Sequence, residues 1–248
     1  MLKKLLSLII IPLPSFLKVL VLRHILGYSI GPGVRIGLSI VIAGQCSMGK
    51  NTRIGHFNYI AGMNDLHLGT DCVIGHLNII LGGNRVTLGD GAMIGRFNEI
   101  NSILNPLVRG RTDPVLEMGR RAIVTASHKI DFTDRVTLED SVVLAGRLSS
   151  LWTHNRQDVG PVRIGAHCYL GSGIQMVPGS SIGPHCVVGL GAVITRQFTD
   201  GYVLIAGVPA KVLKPLDADS TRLVTFPTRP DLDGIPAEAG INSSGTAS

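Results

Sequence analysis

Aliphatic residues recur at every sixth position along most of this chain. Neither the 3.6-residue period of a helix nor the alternation of a long strand explains this spacing. A chain wound around a three-sided prism does, because six residues make one face and three faces make one coil. The two clearest series are Ile30, Ile36, Ile42, Met48, Ile54 and Ile60, and then Ile164, Leu170, Met176, Ile182, Val188 and Ile194.

The middle of the chain keeps this pattern with a longer coil. Similar segments run over 54–60, 74–80 and 94–100, and each begins with Ile and ends with Ile. Their twenty-residue spacing fits three hexads plus two extra residues at one corner. We therefore predict an all-β fold, a left-handed parallel β-helix of hexapeptide repeats, preceded by a short helical N-terminal segment.

The position four residues after each aliphatic anchor is predicted to point inward near a corner, where space is small. All four cysteines fall in this position, so we interpret them as buried packing residues. Asparagines at the same position in successive coils can form hydrogen-bonded ladders, because stacked strands lie about 4.8 Å apart. The inward set includes Val34, Ile40, Cys46, Thr52, Cys72, Ala92, Ala122, Cys168, Ser180, Cys186 and Ala192, with ladders expected from Asn58, Asn78 and Asn98 and, on the next face, Asn64 and Asn84.

Three regions follow from the pattern: an apolar helical segment at 1–28, the β-helix at 29–216 and a polar, disordered tail at 217–248. Pro12 and Pro14 interrupt the apolar segment, so no stretch reaches the ~20 residues of a membrane span. No small-residue cleavage site of a signal peptide is evident. Residues 1–26 could form amphipathic helices in a membrane interface or could cap the solenoid. We expect a cytoplasmic protein, with peripheral contact at the inner face of the membrane under the first alternative.

Composition narrows the possible partners. Glycine is abundant at 31 residues and aromatic residues make up only 4%, as suits a solenoid with many tight turns and an aliphatic core. The net charge of +6 favours contact with phosphates. No zinc-finger spacing, RNA-binding aromatic motif or dense basic run supports nucleic acid as a partner.

Two segments interrupt the repeat, at 104–115 and at 151–161. Loops that leave a regular scaffold are common places for function, because the scaffold supports them without needing them. The second interruption contains Trp152 and His154. An imidazole is the side chain best suited to remove a proton from a hydroxyl near neutral pH.

The C-terminal third resembles the hexapeptide-repeat acyltransferases, in particular the maltose and galactoside O-acetyltransferase type. The segments that carry the resemblance are 161–173, 188–196 and the closing Ala-Gly-Val-Pro-Ala-Lys at 206–211. It extends over roughly residues 28 to 215. It implies a homotrimer whose active sites lie between subunits, acetyl-CoA as the acyl donor, no required metal, and a hydroxyl of a sugar, small molecule or glycan as acceptor.

The same resemblance assigns roles to individual residues. His154 matches the general base, and the alternative is a loop histidine without a role. His128, Asp131 and Trp152 are expected near the acceptor, although His128 also falls in the inward position and could pack a corner instead. The predicted CoA-binding residues are Ser172, Leu190, Thr195, Arg196, Lys211 and Lys214. The basic residues among them could alternatively form a solvated rim.

Other functions use the same kind of solenoid. A γ-type carbonic anhydrase would need three zinc-binding histidines, two of them in an HxxxxH pair that this sequence lacks. A non-catalytic scaffold would not need the loop with His154 or the CoA-like segments. Serine-type and sugar-nucleotide-type acyltransferases remain alternatives within acyl transfer.

Overall fold

The computed structural model describes residues 2–103 and 111–225, with side chains from residue 6 onward. The chain passes through three parallel sheets in rotation, so that every third strand joins the same sheet for about eight turns. The predicted all-β parallel β-helix is confirmed.

Each sheet forms one face of the prism. The first face contains β1 (Ser29–Ile30), β4 (Gln45–Met48), β7 (Asp65–Leu68), β10 (Arg85–Leu88), β13 (Val115–Met118), β16 (Val136–Leu138), β19 (Val162–Ile164) and β22 (Ser181–Ile182). The second face contains β2 (Arg35–Ile36), β5 (Arg53–Ile54), β8 (Val73–Ile74), β11 (Met93–Arg96), β14 (Ile123–Ala126), β17 (Val143–Leu144), β20 (Tyr169–Leu170), β23 (Val187–Val188), β25 (Val203–Gly207) and β26 (Ala210–Pro215). The third face contains β3 (Ile40–Ile42), β6 (Tyr59–Ala61), β9 (Ile79–Leu81), β12 (Glu99–Asn101), β15 (Lys129–Asp131), β18 (Ser150–Leu151), β21 (Gln175–Met176) and β24 (Val193–Ile194).

The predicted anchors fill the interior with one exception. In the first coil Val41 is buried and pairs with Ile60, while Ile42 is only partly buried. The turn before β3 is one residue shorter than its counterpart before β6, and a one-residue slip exchanges the two faces of a strand. For the same reason Ser39 occupies the buried position predicted for Ile40.

The buried asparagine ladder runs through the second corner, where the chain turns from the second face to the third. The amide nitrogen of Asn78 donates to the side-chain oxygen of Asn58 at 2.9 Å, and that of Asn98 donates to Asn78 at 3.0 Å. Asn64 and Asn84 do not form a second interior ladder, because the two extra residues at their corner place both at the surface. All four cysteines are buried, and burial raises the pKa of Cys72 to about 11.

Two helices, α1 (Leu2–Ile9) and α2 (Ser15–His24), cover the N-terminal end of the prism. The Lys18 ammonium donates to the carbonyl of Gly37 at 2.5 Å, the Arg23 guanidinium donates to that of Ile30, and the Ser15 hydroxyl accepts from the backbone of Ile36. An exposed strand edge offers unpaired backbone groups to other chains, and these contacts satisfy them. The polar side chains on the inner surface of the two helices therefore serve to cap the first coil of the prism.

In the part of the chain that the structure describes, no helix is long and apolar enough to cross a membrane.

The C-terminal end closes differently from the repeat. Strand β26 folds back antiparallel on β25. The next segment contradicts the predicted disordered tail over its first residues, because Ala218–Thr225 forms helix α3. Val224 of this helix is 2% exposed, so an apolar contact holds it against the prism. The remainder of the predicted tail, and residues 104–110 of the first interruption, lie outside the described residues.

Candidate active site at the third corner

His154 is held by a carboxylate from the preceding coil. Its Nδ1 lies 2.7 Å from Oδ2 of Asp131, the last residue of β15. A carboxylate oxygen accepts hydrogen bonds, so the proton of the neutral imidazole is placed on Nδ1 and the lone pair on Nε2. The ring is thus presented with its basic nitrogen away from Asp131.

Asp131 is fully enclosed, and several other donors hold it. The backbone nitrogens of Thr133 and Thr153 donate to its two carboxylate oxygens at 3.2 and 3.1 Å. The hydroxyls of the same threonines lie 2.6 and 3.0 Å from these oxygens. A buried carboxylate needs such partners to offset the loss of water. The network fixes the carboxylate, and the carboxylate in turn fixes the imidazole.

The loop that carries His154 is a small hairpin that leaves the repeat between β18 and β19. His154 forms an antiparallel bridge with Val159, and the side-chain oxygen of Asn155 accepts from the backbone of Asp158 at 2.7 Å. Gly160 then donates to the carbonyl of Thr153 at 2.9 Å and returns the chain to the prism. The second interruption therefore positions its histidine by local hydrogen bonds as well as by Asp131.

A cavity of about 500 Å³ opens beside His154. Its wall is mostly apolar, and Trp152, which is 36% exposed, forms part of it. The Lys129 ammonium lies 6.0 Å from the centre of the Trp152 ring. The cavity is lined by Trp152, His154, Asn155, Arg156, Val177 and Pro178.

Two of the residues expected near the acceptor, Asp131 and His128, are buried in the structure. Asp131 is 0% exposed, so it does not reach the cavity and instead contacts the imidazole of His154. His128 is 2% exposed and continues the asparagine ladder: its backbone donates to Asn98, and its Nδ1 accepts from Ser149 at 3.2 Å. Desolvation lowers the pKa of His128 to about 4. These contacts support the alternative in which His128 packs a corner of the prism.

Two of the predicted CoA-binding residues share a corner with His154. Strand pairing aligns Leu151, Met176 and Ile194. The residues that follow them therefore stack at the third corner, where the chain turns from the third face back to the first; these are Trp152, Val177 and Thr195. Thr195 and Arg196 thus lie two strand spacings, about 10 Å, further along the prism. Both are exposed, and the Arg196 guanidinium lies 5.0 Å from the ring of Phe198.

Ser172 and Leu190 lie at a different corner, the second, in consecutive coils. The Ser172 carbonyl accepts from Gly191, and Leu190 is 82% exposed. Gly146 lies at the same corner one coil before Ser172, and its φ is 66°. A Cβ at this position would lie 1.8 Å from the Ser172 hydroxyl. The glycine leaves this hydroxyl uncovered, but one prism does not bring it to His154.

Lys211 and Lys214 lie on β26, the antiparallel strand that closes the second face, and both are exposed. The Lys214 ammonium lies 2.8 Å from a carboxylate oxygen of Asp217. Within residues 2–103 and 111–225, Lys211 has no ion pair of this kind. The two lysines therefore differ in how readily they could bind a phosphate.

Sequence reasoning did not identify Thr133, Thr153, Val177 or Pro178 as parts of the site. Their alignment with Asp131 and His154 depends on the length of each coil, which the repeat period gives only approximately. One signal was available, because Thr153 directly precedes His154 in the interrupting loop. Nowhere in the described ranges do three or more histidine, cysteine or acidic side chains come close enough to hold a metal ion.

Comparison with solved structures finds several chains of similar architecture. The polySia-specific acetyltransferase NeuO aligns with a TM-score of 0.51 and 18% identity, over 76% of this chain and 80% of its own. A hexapeptide-repeat acetyltransferase from Vibrio cholerae O1 biovar eltor, solved with acetyl coenzyme A, aligns at 0.43 with 19% identity over 52% and 70% of the two chains. A maltose O-acetyltransferase from Clostridium difficile 630 aligns at 0.35 with 18% identity over 71% of each.

The overlap with NeuO establishes a shared fold. The predicted hexapeptide-repeat architecture is thereby confirmed. No protein-family model matches the sequence, and no curated protein matches it.

Proposed function

We propose that the protein is an acyl-CoA-dependent O-acyltransferase in which His154 is the general base. The observation that carries this proposal is the contact of His154 Nδ1 with the buried Asp131 at 2.7 Å, in a histidine that also lines a cavity of about 500 Å³. A loop histidine without a role would not need a fully enclosed carboxyl partner from the preceding coil. The arrangement is that of an oriented base beside a substrate space.

The chemistry follows from this geometry. Nε2 of His154 accepts the proton of the acceptor hydroxyl. At the same time the oxygen of that hydroxyl forms a bond to the acyl carbon of the thioester. The carbon–sulfur bond then breaks, and the proton on Nε2 passes to the leaving thiolate. Asp131 stabilises the imidazolium between these steps and keeps Nδ1 protonated. No covalent intermediate with the protein is needed.

The distribution of the remaining candidates supports a homotrimer. Arg196 shares the corner of His154, whereas Ser172 and Leu190 lie at another corner of the same prism. A cleft between two prisms can bring the third corner of one subunit to the second corner of the next. Arg196 and Lys211 would then offer positive charge to the CoA phosphates, Ser172 and Leu190 would lie along its pantetheine arm, and Trp152 would form the acceptor wall.

The acceptor that we propose is a hydroxyl of a sugar or glycan, and acetyl is the acyl group to test first. The mostly apolar cavity with one aromatic wall suits stacking on a sugar ring. Thiol release from acetyl-CoA, measured against a panel of hydroxylated sugars and oligosaccharides, tests the proposal. Release that depends on one class of acceptor supports it. CoA binding without release for any hydroxyl acceptor would favour a binding scaffold.

A further inference from the structure

The outer surface of the N-terminal helices is apolar where a helix facing water is normally polar. In α2 the inner face carries Lys18, which is 2% exposed and bonded to a strand end. The outer face carries Phe16 and Leu20, which are 65% and 46% exposed. The inner face also carries Leu22, which is 2% exposed, so α2 presents apolar side chains on both faces, whereas an ordinary surface helix is polar on its outer face. Capping explains the buried lysine, and it leaves the exposed phenylalanine and leucine unexplained.

Further apolar side chains are exposed in the same N-terminal segment. Leu8 and Ile9 at the end of α1 are 53% and 60% exposed, and Ile25 just after α2 is 62% exposed. Several large apolar side chains exposed within one short segment at one end of a protein usually mark a contact with another apolar phase. We call these residues the outer cap: Leu8, Ile9, Phe16, Leu20 and Ile25.

The charge of the surrounding chain identifies what the outer cap contacts. The first 64 residues contain seven Lys and Arg residues and no Asp or Glu, so all 17 acidic residues lie beyond position 64. Arg23 and Arg35, near the outer cap in the fold, are both exposed. A second copy docked end to end would place two positive ends together, which costs free energy. A surface of negative charge over an apolar interior complements both features.

We propose that the outer cap docks the protein onto the surface of a bilayer that contains anionic lipid. The helices are eight and ten residues long, so they would lie in the interface with their apolar side chains among the acyl chains. The same helices cap the prism with their inner face and bind lipid with their outer face. The two interpretations of residues 1–26 are therefore compatible.

Docking by this end fixes the height of the active site, a consequence that rests on the proposed function. Strand β18, which precedes His154, lies five strands beyond β3 in the third face. Five strand spacings correspond to about 24 Å along the prism. With the outer cap on the membrane, the active site would lie nearer to the hydroxyls of a glycan that extends from the surface than to those of a lipid headgroup.

Flotation of the full chain with vesicles tests the docking. Vesicles of phosphatidylcholine alone are compared with vesicles that also contain phosphatidylglycerol, at low and high salt. The double variant Phe16→Ser/Leu20→Ser removes two apolar side chains of the outer cap. Its matched control is Leu148→Ser/Leu223→Ser, since these leucines are 65% and 49% exposed and lie far from the cap. Thermal unfolding of each variant shows that it is folded.

We expect the protein to float with the anionic vesicles, and its partitioning to fall at least about tenfold without phosphatidylglycerol, at high salt or in the cap variant. The control variant should partition as the unsubstituted chain does. Failure to bind anionic vesicles, equal binding to neutral ones, or equal binding by the cap variant would overturn the proposal. So would a smaller particle size of the cap variant without lipid, because the outer cap would then join copies of the chain. Thiol release with a soluble acceptor is measured separately, so loss of the proposed activity would not be mistaken for loss of docking.

Discussion

His154 and Asp131 are 23 positions apart in the sequence, and the structure places His154 Nδ1 2.7 Å from a carboxylate oxygen of Asp131. Asp131 ends a strand of the third face, and His154 lies in the loop that follows the next strand of that face. The solenoid thus places the buried carboxylate of Asp131 against the imidazole of His154 in a surface loop. Orientation of a base by a fixed partner is a recurrent way to prepare it for proton transfer.

Replacement of this histidine gives the most direct test of the proposed base. His154→Ala should lower kcat at least about a hundredfold, because the acceptor hydroxyl loses its proton acceptor. CoA affinity, measured by calorimetry, and particle size should stay unchanged. The control His67→Ala removes an exposed histidine of the first face and should retain activity. Retained turnover in His154→Ala would contradict the assignment.

The role of Asp131 can be separated from a purely structural one by a double-mutant cycle. An amide at position 131 can donate to Nδ1 and favour the wrong tautomer, so Asp131→Asn should lower kcat by roughly 10²- to 10⁴-fold. In the His154→Ala background the same change should have little further effect, because residues that act as a unit are not additive. Steady-state kinetics of the four proteins measure this. Equal effects in both backgrounds would assign Asp131 to folding alone.

The two lysines of β26 should differ in their contribution to CoA binding. Lys214 is already paired with Asp217, so Lys211 has the more available charge. Lys211→Ala should raise the KM for acyl-CoA several-fold with a smaller change in kcat, because a phosphate contact lies far from the reacting atoms. Lys214→Ala is the matched control and should have the weaker effect. A dominant loss of kcat in Lys211→Ala would argue against the phosphate contact.

The buried His128 should make stability depend on pH. Its pKa is lowered to about 4 in the fold from 6.5 in the unfolded chain, mainly by desolvation. Between these pH values His128 is therefore protonated in the unfolded chain and neutral in the folded chain. Stability should be fully retained above pH 6.5 and fall as pH decreases toward 4, by about 3 kcal/mol.

Urea unfolding measured across this range checks the effect of His128. Other groups also titrate there, so the informative quantity is the difference between the unsubstituted chain and His128→Asn. Asparagine cannot titrate and continues the ladder of Asn58, Asn78 and Asn98. The variant should therefore lose this part of the pH dependence. An identical dependence in both proteins would show that His128 does not cause it.

The sequence predicted the coils and most of the interior, but it was wrong where coil length changed. Anchors such as Ile54 and Ile74 follow a strict period, so their burial could be read directly. Val41 replaced Ile42 because one turn is a residue shorter, and Asn64 lies at the surface because another is longer. Helix α3 was missed because its short polar sequence depends on contact with the prism.

The residues of the candidate site could be predicted only in part. His154 was singled out because it lies in a loop that breaks the period, and Trp152 lies beside it. Asp131 was assigned to the acceptor, although the structure buries it completely as the partner of His154. The separation of Ser172 from His154 at different corners was also not visible in the sequence.

The sequence by itself determined that the chain winds into a repeating prism, because burial of every sixth side chain is a local and periodic requirement. Only the tertiary structure decided which side chains of neighbouring coils meet. That outcome depends on the exact number of residues in each turn, and a change of one residue exchanges the interior and the surface. The contact between Asp131 and His154 is a product of that stacking.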